Sequence, residues 1–394
     1  MDFSPVGLSA DDQAFRDGLR AFLAEHVTEE VKLRDRETGE NFDEGVHLAL
    51  GAAGYLSALW HSSEEGGFTP VRKRVWDLET QRAQMPWYHG GVTFMVARVV
   101  DQFAIPELKD EVMPGVLSGH VRLCLGFTEP EGGSDVATSK TRAVRDGDGW
   151  IINGSKMFTS NAHNAQYVFL VTNTDPQGPK HQSLTMFLVP LDSAGVEIQG
   201  IRTVDGDRTN ITYYSDVRVP DKFRIGEVNA GWTVLRSALN AEHGVVEKDD
   251  TGLQKTAAMV EHLTLMAQSV DRIAGIVAEK DGNGRCALDD DSVRYRLGRG
   301  VARIEAALST PDMFGRVAVI QAMRDVSPDL MDILGAASAL PTGTEGAADD
   351  GGIEYAFRLA LPAGIYGGTL EVFRNMIAQH ALGLGRPNYS PART

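Results

Sequence analysis

The spacing of apolar residues changes twice along this chain. Up to about residue 119 they recur at intervals of three and four, as in Phe15, Leu19, Phe22 and Val27, which is typical of amphipathic helices. Over 120–229 they alternate with polar residues, as in half-buried strands, and over 230–394 the helical interval returns. The pattern predicts an α+β fold of three parts: an N-terminal α-helical domain (1–119), a central β domain (120–229) and a C-terminal α-helical domain (230–394).

Local signals refine these elements. Ser9 is the predicted cap of the first helix, with Asp11 and Asp12 in its opening turn. The pair Asn153-Gly154 follows an apolar run and predicts a hairpin turn. Several short strands so close together predict a barrel or sandwich, and we expect a β-barrel followed by a C-terminal helical bundle. Helices are predicted at 44–56, 75–84, 91–103, 292–308, 353–361 and 370–382, and strands at 121–127, 167–172, 184–189, 196–201 and 211–219.

Composition limits the classes of function. The chain has 394 residues, 42% of them apolar and 23% charged, and a formal charge of −16 without a basic block, so no nucleic-acid partner is expected. The two cysteines, Cys124 and Cys286, make no disulfide framework, and no metal-ligand spacing is present. Because the chain lacks a secretion signal and any apolar run of the ~20 residues that span a bilayer, we expect a cytoplasmic protein without a membrane segment.

Glu242 is the strongest candidate for chemistry. It lies seven residues after Leu235, three after Leu239 and three before Val245, so helical spacing puts it on an apolar face. Burial there would disfavour the ionised carboxylate and raise its pKa, which suits a base that removes a proton near neutral pH. From this helix alone a second interpretation stays open, in which Glu242 lies at the edge of the stripe and reaches solvent or an arginine.

Two segments carry a more specific signal. Residues 127–135 (FTEPEGGSD) end a predicted strand with hydroxyls and adjacent glycines, which allow a ligand close to the backbone, and residues 150–162 (WIINGSKMFTSNA) follow. The glycine motifs of dinucleotide-binding and triphosphate-binding loops are absent. Together with 216–220 (DVRVP), Gly231-Trp232 and 366–375 (YGGTLEVFRN), these segments stand in the order found in the acyl-CoA dehydrogenases. The chain resembles that family of flavoenzymes nearly from end to end.

The resemblance implies FAD, held without a dinucleotide-binding motif. Thr128 corresponds to a hydroxyl near flavin N5, and Glu371, where an amide is common, is alternatively a helix-start carboxylate facing the positive end of the dipole. The implied cofactor contacts are Leu125, Phe127, Thr128, Gly133, Ser134, Phe158, Thr159, Ser160, Thr369 and Glu371. The implied substrate contacts are Ser134, Asn240, His243 and Gly367.

The resemblance also bears on the base. Many members carry it directly after the Tyr of the terminal motif, where this chain has Gly367. Isovaleryl-CoA dehydrogenase and a group of bacterial relatives carry it instead on the helix after Gly-Trp, and Glu242 matches that position. The family mechanism then implies that Glu242 takes the α-proton, that a hydride goes to flavin N5, and that a trans-2-enoyl-CoA results. A separate electron acceptor, an electron-transfer flavoprotein, is implied for the reduced FAD.

Departures from the family pattern concern assembly. The segments that normally complete a neighbouring subunit's FAD site are not recognisable at 278–285 (AEKDGNGR) and 332–338 (DILGAAS), although Lys280 or Arg285 could replace the missing charge. We therefore expect a homo- or hetero-oligomer, such as an α2β2 tetramer in which only some sites hold FAD. His243, where Arg usually follows the base, either holds the carboxylate or is a surface residue.

Three functions stay open from the sequence. The first is a catalytic acyl-CoA dehydrogenase subunit for a branched or steroid-derived acyl-CoA, since a base on the inner helix and the small Gly367 leave room around the reacting carbons. The second is a non-catalytic structural subunit of a heteromeric dehydrogenase. The third is a flavin monooxygenase or oxidase on the same fold.

Overall fold

The computed structural model describes residues 7–242, 260–310 and 312–385. The chain forms two compact units, Met1–Ala241 and Glu242–Thr394. His243 lies outside the described residues, as do the side chains of Asn240 and Glu242. The division into three domains at 119/120 and 229/230 stays a prediction; the amino-terminal unit contains both helices and a sheet.

Seven helices open the described part of the amino-terminal unit. Ser9 caps the first helix as predicted, since its Oγ accepts a hydrogen bond from the backbone N–H of Asp12 at 3.1 Å. The single helix predicted over 44–56 is divided, because Gly54 adopts a left-handed φ of 78° between two helices. The helices are α1 (Ala10–His26), α2 (Glu29–Thr38), α3 (Glu44–Ala52), α4 (Tyr55–Trp60), α5 (Pro70–Arg82), α6 (Tyr88–Phe103) and α7 (Pro106–Leu117).

Eight strands form one sheet in the same unit. They are β1 (Leu123–Gly126), β2 (Arg142–Asp146), β3 (Gly149–Lys156), β4 (Tyr167–Asn173), β5 (Leu184–Pro190), β6 (Val196–Arg202), β7 (Arg208–Pro220) and β8 (Arg224–Ile225). The strand order is β6-β7-β3-β2-β4-β5-β8, and β1 pairs in parallel with β4. Within residues 7–242 the end strands β6 and β8 do not pair with each other, so the sheet is not closed into the expected barrel.

The predicted hairpin at Asn153-Gly154 is wrong. Strand β3 runs through this pair, and the hairpin turn lies before it, between Asp146 and Gly149. Gly154 instead sits at a shift in the β3–β7 register with a φ of 147°, where a Cβ would lie 2.7 Å from the Thr141 backbone. Asn153 stabilises this irregularity, because its Nδ2 donates to Asp216 Oδ1 at 3.0 Å and its Oδ1 accepts from Asp216 N at 2.9 Å.

Besides an apolar cluster among the earlier helices, the amino-terminal unit has a core between the sheet, helices α6 and α7, and the later helix α8 (Gly231–Glu242). Strands β4 and β5 are buried along nearly their whole length, as strands covered on both faces are. Helix α8 adds the buried side chains of Val234, Leu235 and Ala238 to this core. A Cβ at Gly231 would lie 2.7 Å from the Leu184 carbonyl oxygen, so glycine allows this helix to begin directly against β5.

The α2–α3 loop meets the turn between β6 and β7 through backbone atoms. The N–H of Arg208 donates to Gly39 O at 2.6 Å. Gly39 has a left-handed φ of 60°, and a side chain there would collide with the carbonyl oxygen of Gly206. Two glycines therefore fix the distance between the helices and this edge of the sheet.

The described part of the carboxy-terminal unit is helical. Its elements are α9 (Val260–Ala278), α10 (Asp291–Leu308), α11 (Asp312–Leu334), α12 (Gly352–Leu359) and α13 (Leu370–Met376), followed by a π-helical turn at Ile377–Ala381. The acidic turn before α10 supplies its cap, Asp290. In the loop at 344–352, Asp349 is buried and pairs with Arg272 of α9. None of the helices in the described ranges is long and apolar enough to cross a membrane.

Candidate functional site

The turn that follows β1 is tight and small. Glu129 and Gly132 exchange two backbone hydrogen bonds of 3.0 Å, which brings Gly133 back against Thr128. A Cβ at position 133 would lie 3.1 Å from Thr128 Cγ2, so the absence of a side chain here is what lets the two segments touch. Ser134 follows on the surface. The structure thus places three predicted cofactor residues, Thr128, Gly133 and Ser134, in one turn.

The segment after β3 lies beside this turn. The N–H of Met157 donates to Thr128 O at 2.8 Å, which fixes the two segments side by side. Phe158 is 53% exposed and has a left-handed φ of 57°, so its ring is held at the surface. Thr159 is fully buried, and Ser160 Oγ lies 2.9 Å from Thr209 Oγ1. The predicted residues 127–128 and 158–160, distant in sequence, are therefore neighbours.

Leu125 and Phe127 connect this surface to the core. Leu125 is half-buried on β1, and the Phe127 ring packs edge-on against Phe169 with 5.8 Å between centroids. Among the described residues the Thr128 hydroxyl makes no hydrogen bond. The exposed ring of Phe158, the apolar side chains beneath it and the unbonded hydroxyl of Thr128 suit a flat heteroaromatic ligand with polar edges. A flavin ring has this chemistry.

A buried ion pair lies beneath the two segments and was missed by the sequence reasoning. Lys156, at the end of β3, is 0% exposed, and its Nζ lies 2.7 Å from Glu129 Oε1. The carboxylate also accepts from Ser139 Oγ at 2.8 Å and from the N–H groups of Lys140 and Thr141 at 2.7 and 2.8 Å. A signal was available, because Lys156 has the inward parity of Trp150 and Ile152 on β3.

The protonation of this pair follows from its surroundings. Burial lowers the pKa of Lys156 to about 8, against the opposing charge of Glu129. Burial acts to raise the pKa of Glu129, but the Lys156 charge and the hydrogen bonds from Lys156 and from the N–H groups of Thr141 and Lys140 outweigh it and lower that pKa to about 2. Both side chains are therefore charged at neutral pH, and the pair joins the turn after β1 to the end of β3.

The predicted base lies at the end of the described part of α8. Position 242 follows Leu235 by seven residues and Ala238 by four, and both of those side chains are fully buried. In an α-helix these three positions share one face. The backbone register thus agrees with the sequence pattern on which Glu242 was chosen, while its side chain and the predicted contacts Asn240 and His243 lie outside the described residues.

The terminal motif (366–375) begins with a loop of the carboxy-terminal unit that two distant side chains fix in place. Arg316 of α11 is buried and donates to the carbonyl oxygens of Tyr366 and, at 3.4 Å, of Gly368. The Tyr366 hydroxyl lies 2.5 Å from His262 Nε2. Gly367, between Tyr366 and Gly368, has a left-handed φ of 59°. Arg316 and His262 were not singled out from the sequence, because they lie about 50 and 100 residues away from the loop they hold.

The two remaining predicted cofactor residues begin the next helix. Thr369 caps α13, since its Oγ1 accepts from Val372 N at 3.2 Å. Glu371 is in the first turn, 74% exposed at its side chain, and hydrogen bonds from its own backbone N–H and from Thr369 lower its pKa. A carboxylate facing the positive end of a helix explains Glu371 structurally, and its cofactor contact stays a prediction.

The segments at 278–285 and 332–338 are also described. After α9 ends at Ala278, Asp281 and Arg285 close a turn, with the Asp281 N–H donating to Arg285 O at 2.8 Å. Lys280 and Arg285 are exposed there. The second segment ends α11 and continues as a short helical turn, Gly335–Ala339.

Comparison with protein families matches two segments of the chain. Residues 9–120 match the family described as Acyl-CoA dehydrogenase, N-terminal domain, and residues 124–217 match Acyl-CoA dehydrogenase, middle domain. Together these matches cover more than half of the chain.

Curated relatives agree with this assignment. The chain is 34% identical to acyl-CoA dehydrogenase FadE29 of Mycobacterium tuberculosis over 66% of its own length, and the match spans 64% of that relative, slightly less than two thirds. It is 31% identical to acyl-CoA dehydrogenase IpdE1 of Mycolicibacterium smegmatis, over 95% of this chain and 98% of the relative.

Two solved structures have a similar fold. One is described as Tcur3481-Tcur3483 steroid ACAD, with a TM-score of 0.81, 32% identity and coverage of 98% of this chain and 100% of that chain. The other is the ChsE4-ChsE5 complex from Mycobacterium tuberculosis, with a TM-score of 0.80, 28% identity and coverage of 98% and 100%.

Proposed function

The chain belongs to the acyl-CoA dehydrogenase family, and on that premise we propose that it oxidises an acyl-CoA thioester to the trans-2-enoyl-CoA. It is an oxidoreductase acting on CH–CH bonds, the class to which the named relatives belong. The substrate loses a proton from its α-carbon and a hydride from its β-carbon, which leaves a double bond between them.

The residues around the turn after β1 would hold the cofactor. Members of the family use FAD, which when bound would supply the acceptor for the hydride. The half-buried Leu125 and Phe127 and the exposed ring of Phe158 would contact the faces of a flavin ring, with the Thr128 hydroxyl as a polar contact near N5. Gly133, Ser134, Thr159, Ser160, Thr369 and Glu371 complete the proposed set.

Glu242 is the proposed base. The observation that supports it is the helix register, in which position 242 follows the fully buried Leu235 and Ala238 on one face of α8. A carboxylate on such a face is shielded from water, which raises its pKa and makes it a stronger base for taking a proton from carbon near neutral pH. Gly367 cannot take this role, since it has no side chain.

The substrate is proposed to be a branched or steroid-derived acyl-CoA. Gly367 presents only backbone at the place where many relatives carry a carboxylate, which leaves room for a bulky acyl group. One further observation favours a steroid: a similar structure, 32% identical to this chain, is described as a steroid ACAD. Ser134, Asn240 and His243 are the further proposed substrate contacts.

The working form is proposed to be oligomeric. The segments at 278–285 and 332–338 lack the residues that complete a neighbour's FAD site, and one similar structure is a complex of two different chains. A heteromer in which this chain pairs with a related subunit accounts for both. An electron-transfer flavoprotein is the proposed acceptor from reduced FAD.

The base is tested by Glu242→Gln in the full-length chain, purified alone and with a co-expressed related subunit. We expect FAD to stay bound while the rate of flavin reduction by acyl-CoA falls by at least about 10³-fold. Glu227→Gln is the matched control, because Glu227 precedes the same helix and its side chain is 89% exposed. A loss below about tenfold would assign the base to another residue.

The substrate class is tested by flavin reduction with short, long, branched and steroid thioesters, using ferrocenium as acceptor. A folded chain that binds no flavin in any assembly would favour a structural subunit. Product that forms only with oxygen would favour a monooxygenase or oxidase.

A further inference from the structure

Behind Thr159 a chain of polar contacts leads to the α2–α3 loop of the same unit. Asn210 of β7 is fully buried and exchanges two hydrogen bonds with Thr159: Thr159 N donates to Asn210 O at 2.8 Å, and Asn210 Nδ2 donates to Thr159 O at 3.0 Å. The same Nδ2 lies 3.2 Å from His163 Nδ1. On its other side His163 Nε2 lies 3.3 Å from Glu40 Oε1.

Glu40 is itself held in place. Its Oε1 accepts from Arg208 Nη1 at 3.3 Å, and its Oε2 accepts from Asn164 Nδ2 at 3.2 Å. The backbone beside it is fixed by the contact of Gly39 with the turn before β7. The carboxylate is 23% exposed at its side chain, so water screens it only in part.

The contacts define where the His163 proton lies. An amide NH2 only donates, so His163 Nδ1 accepts from Asn210 and carries no proton in this arrangement. Asn164 Nδ2 also lies 3.0 Å from His163 Nε2, but its two hydrogens have acceptors in Glu40 Oε2 at 3.2 Å and Asn161 Oδ1 at 3.1 Å. The ring proton is then on Nε2, facing Glu40. Burial and the Arg208 charge lower the pKa of His163, and Glu40 opposes them. His89 adds no charge, because burial lowers its pKa to about 3.

A second proton would disrupt this arrangement. An N–H at Nδ1 would face the Asn210 NH2 group, and the amide would have to turn its oxygen toward the ring. That oxygen is buried and has no hydrogen-bond partner among the described residues, so rotating the amide would break no hydrogen bond to it. The turn would remove the hydrogen bond from Asn210 Nδ2 to Thr159 O.

The segment that would lose this bond depends on such support. Phe158 and Asn161, on either side of Thr159-Ser160, both have left-handed φ values, 57° and 62°. Residues with a side chain adopt this conformation at a cost, so it persists where surrounding contacts hold it. The two hydrogen bonds between Thr159 and Asn210 are such contacts.

We propose that His163 is a positioning residue: in its neutral form it keeps the Asn210 amide turned toward Thr159, and so holds the Phe158–Ser160 segment in the conformation that contacts the flavin. Glu40 fixes the ring tautomer that this requires. Flavin binding consequently weakens when His163 gains a second proton. The inference rests on the proposed function, since it takes the Phe158–Ser160 segment as a flavin contact.

Two substitutions separate positioning from packing. His163→Phe keeps a planar ring but removes both nitrogens, whereas His163→Gln keeps an acceptor for Asn210 and a donor for Glu40 and cannot titrate. His120→Gln is the matched control, since His120 is an exposed histidine of the same unit. Each is made in the full-length chain, in the assembly in which it is purified, and FAD dissociation constants of the deflavinated protein are measured between pH 5.5 and 8.0.

In the wild type and His120→Gln we expect the FAD dissociation constant to rise severalfold from pH 7.5 to 5.5, and by less than about tenfold, because the pKa of His163 is lowered from 6.5. His163→Gln should bind within about twofold of the wild type at pH 7.5 and show no such rise, and His163→Phe should bind about tenfold more weakly at pH 7.5. Wild-type pH dependence in His163→Gln, or wild-type affinity in His163→Phe, would overturn the proposal.

Hydrogen–deuterium exchange of the flavin-free protein provides a readout that does not depend on the cofactor. The peptide that contains Thr159 should exchange faster in His163→Phe than in His163→Gln or the wild type at one pH. Equal exchange in all three contradicts the role of His163. If no form of the protein binds FAD, the proposed function fails, while this exchange measurement still decides the network.

Discussion

Lys156 Nζ lies 2.7 Å from Glu129 Oε1 in the interior of the amino-terminal unit, and this pair ties the turn after β1 to the end of β3. Lys156 also donates to Ser139 Oγ at 3.0 Å, so its charge is shared with a second group. Thr128–Ser134, which contains Glu129, and Phe158–Ser160, which follows Lys156, carry most of the proposed flavin contacts. The ion pair therefore acts as the internal support of the candidate site.

Lys156→Met should destabilise the amino-terminal unit by about 3–5 kcal/mol, because it leaves a buried carboxylate without its counter-charge. All five tryptophans lie between residues 60 and 232, so tryptophan fluorescence during urea unfolding reports this unit alone. The double variant Lys156→Met with Glu129→Leu should be less destabilised than Lys156→Met, because no isolated charge remains buried.

A surface ion pair of the same type supplies the control. Lys180 pairs with Asp135, and each side chain is 49% exposed. Lys180→Met should cost no more than about 1 kcal/mol, because solvent screens exposed pairs. Equal losses for the two lysine variants would show that the buried pair gives no special support.

Because His47 is buried in its neutral form, we expect the protein to lose stability in mild acid. It is 2% exposed, and burial, with a smaller contribution from the Arg122 charge, lowers its pKa to about 4 from 6.5. Between these two values the unfolded chain binds a proton that the folded chain does not, so stability falls as the pH falls from 6.5 to 4, by at most about 1.4 kcal/mol per pH unit.

His47→Phe should remove this part of the pH dependence, because a phenyl ring fits between Phe42 and Trp87 and does not titrate. Urea midpoints from tryptophan fluorescence at pH 7.0, 6.0 and 5.0 measure the slope, with His120→Gln as the exposed control. Parallel slopes in wild type and His47→Phe would mean that another group binds the proton.

Gly133→Ala should weaken FAD binding by about tenfold, because its Cβ would lie 3.1 Å from Thr128 Cγ2 and push that side chain away. Gly132→Ala is the adjacent control, since its Cβ would be 3.8 Å from Thr138 Oγ1, an ordinary contact. Flavin fluorescence titration of both variants measures the difference. Equal affinity in the two would remove Thr128 from the proposed contacts.

Gly367→Ala should lower kcat/KM for a steroid-derived acyl-CoA about tenfold more than for a short straight-chain one, because the methyl group narrows the proposed acyl space. Its left-handed φ of 59° adds a cost of about 1 kcal/mol to the stability of the loop. Gly343→Ala has the same backbone strain, at φ 80° in open surroundings, and should not change selectivity. A uniform loss across substrates would point to loop strain alone.

Local patterns predicted much of this fold. The cap at Ser9, the strands β4 to β7 and the helix that begins at Gly231 follow from spacing and capping rules that act within a few residues. The strand β2 was not predicted, because four of its five residues are exposed and show no apolar alternation. Its place comes from pairing with β3 across the two-residue turn Gly147-Asp148, which was not identified as a hairpin turn from the sequence.

The hairpin predicted at Asn153-Gly154 was wrong because the local sequence is compatible with two structures. An Asn-Gly pair suits a hairpin and also a register shift inside a strand, and only the approach of Thr141 and Asp216 selects the second. The contacts of Glu40 with His163 and of Arg316 with Tyr366 join residues far apart in sequence. The segments proposed to contact the flavin were identified through the family resemblance, whereas the groups that hold them come together only in the folded chain.

The junction between Gly39 and Gly206 has a practical consequence. The α2–α3 loop and the β6–β7 turn meet there through main-chain atoms and through the contact of Asn41 Nδ2 with Asp207 Oδ2 at 2.7 Å, so exposed side chains outside these contacts can be exchanged while the fit is kept. Glu37 and Val204 are exposed on the two partners, Val204 by 56%. Dyes attached at these two positions would read out, by energy transfer, whether the helices stay seated on the sheet while subunits assemble.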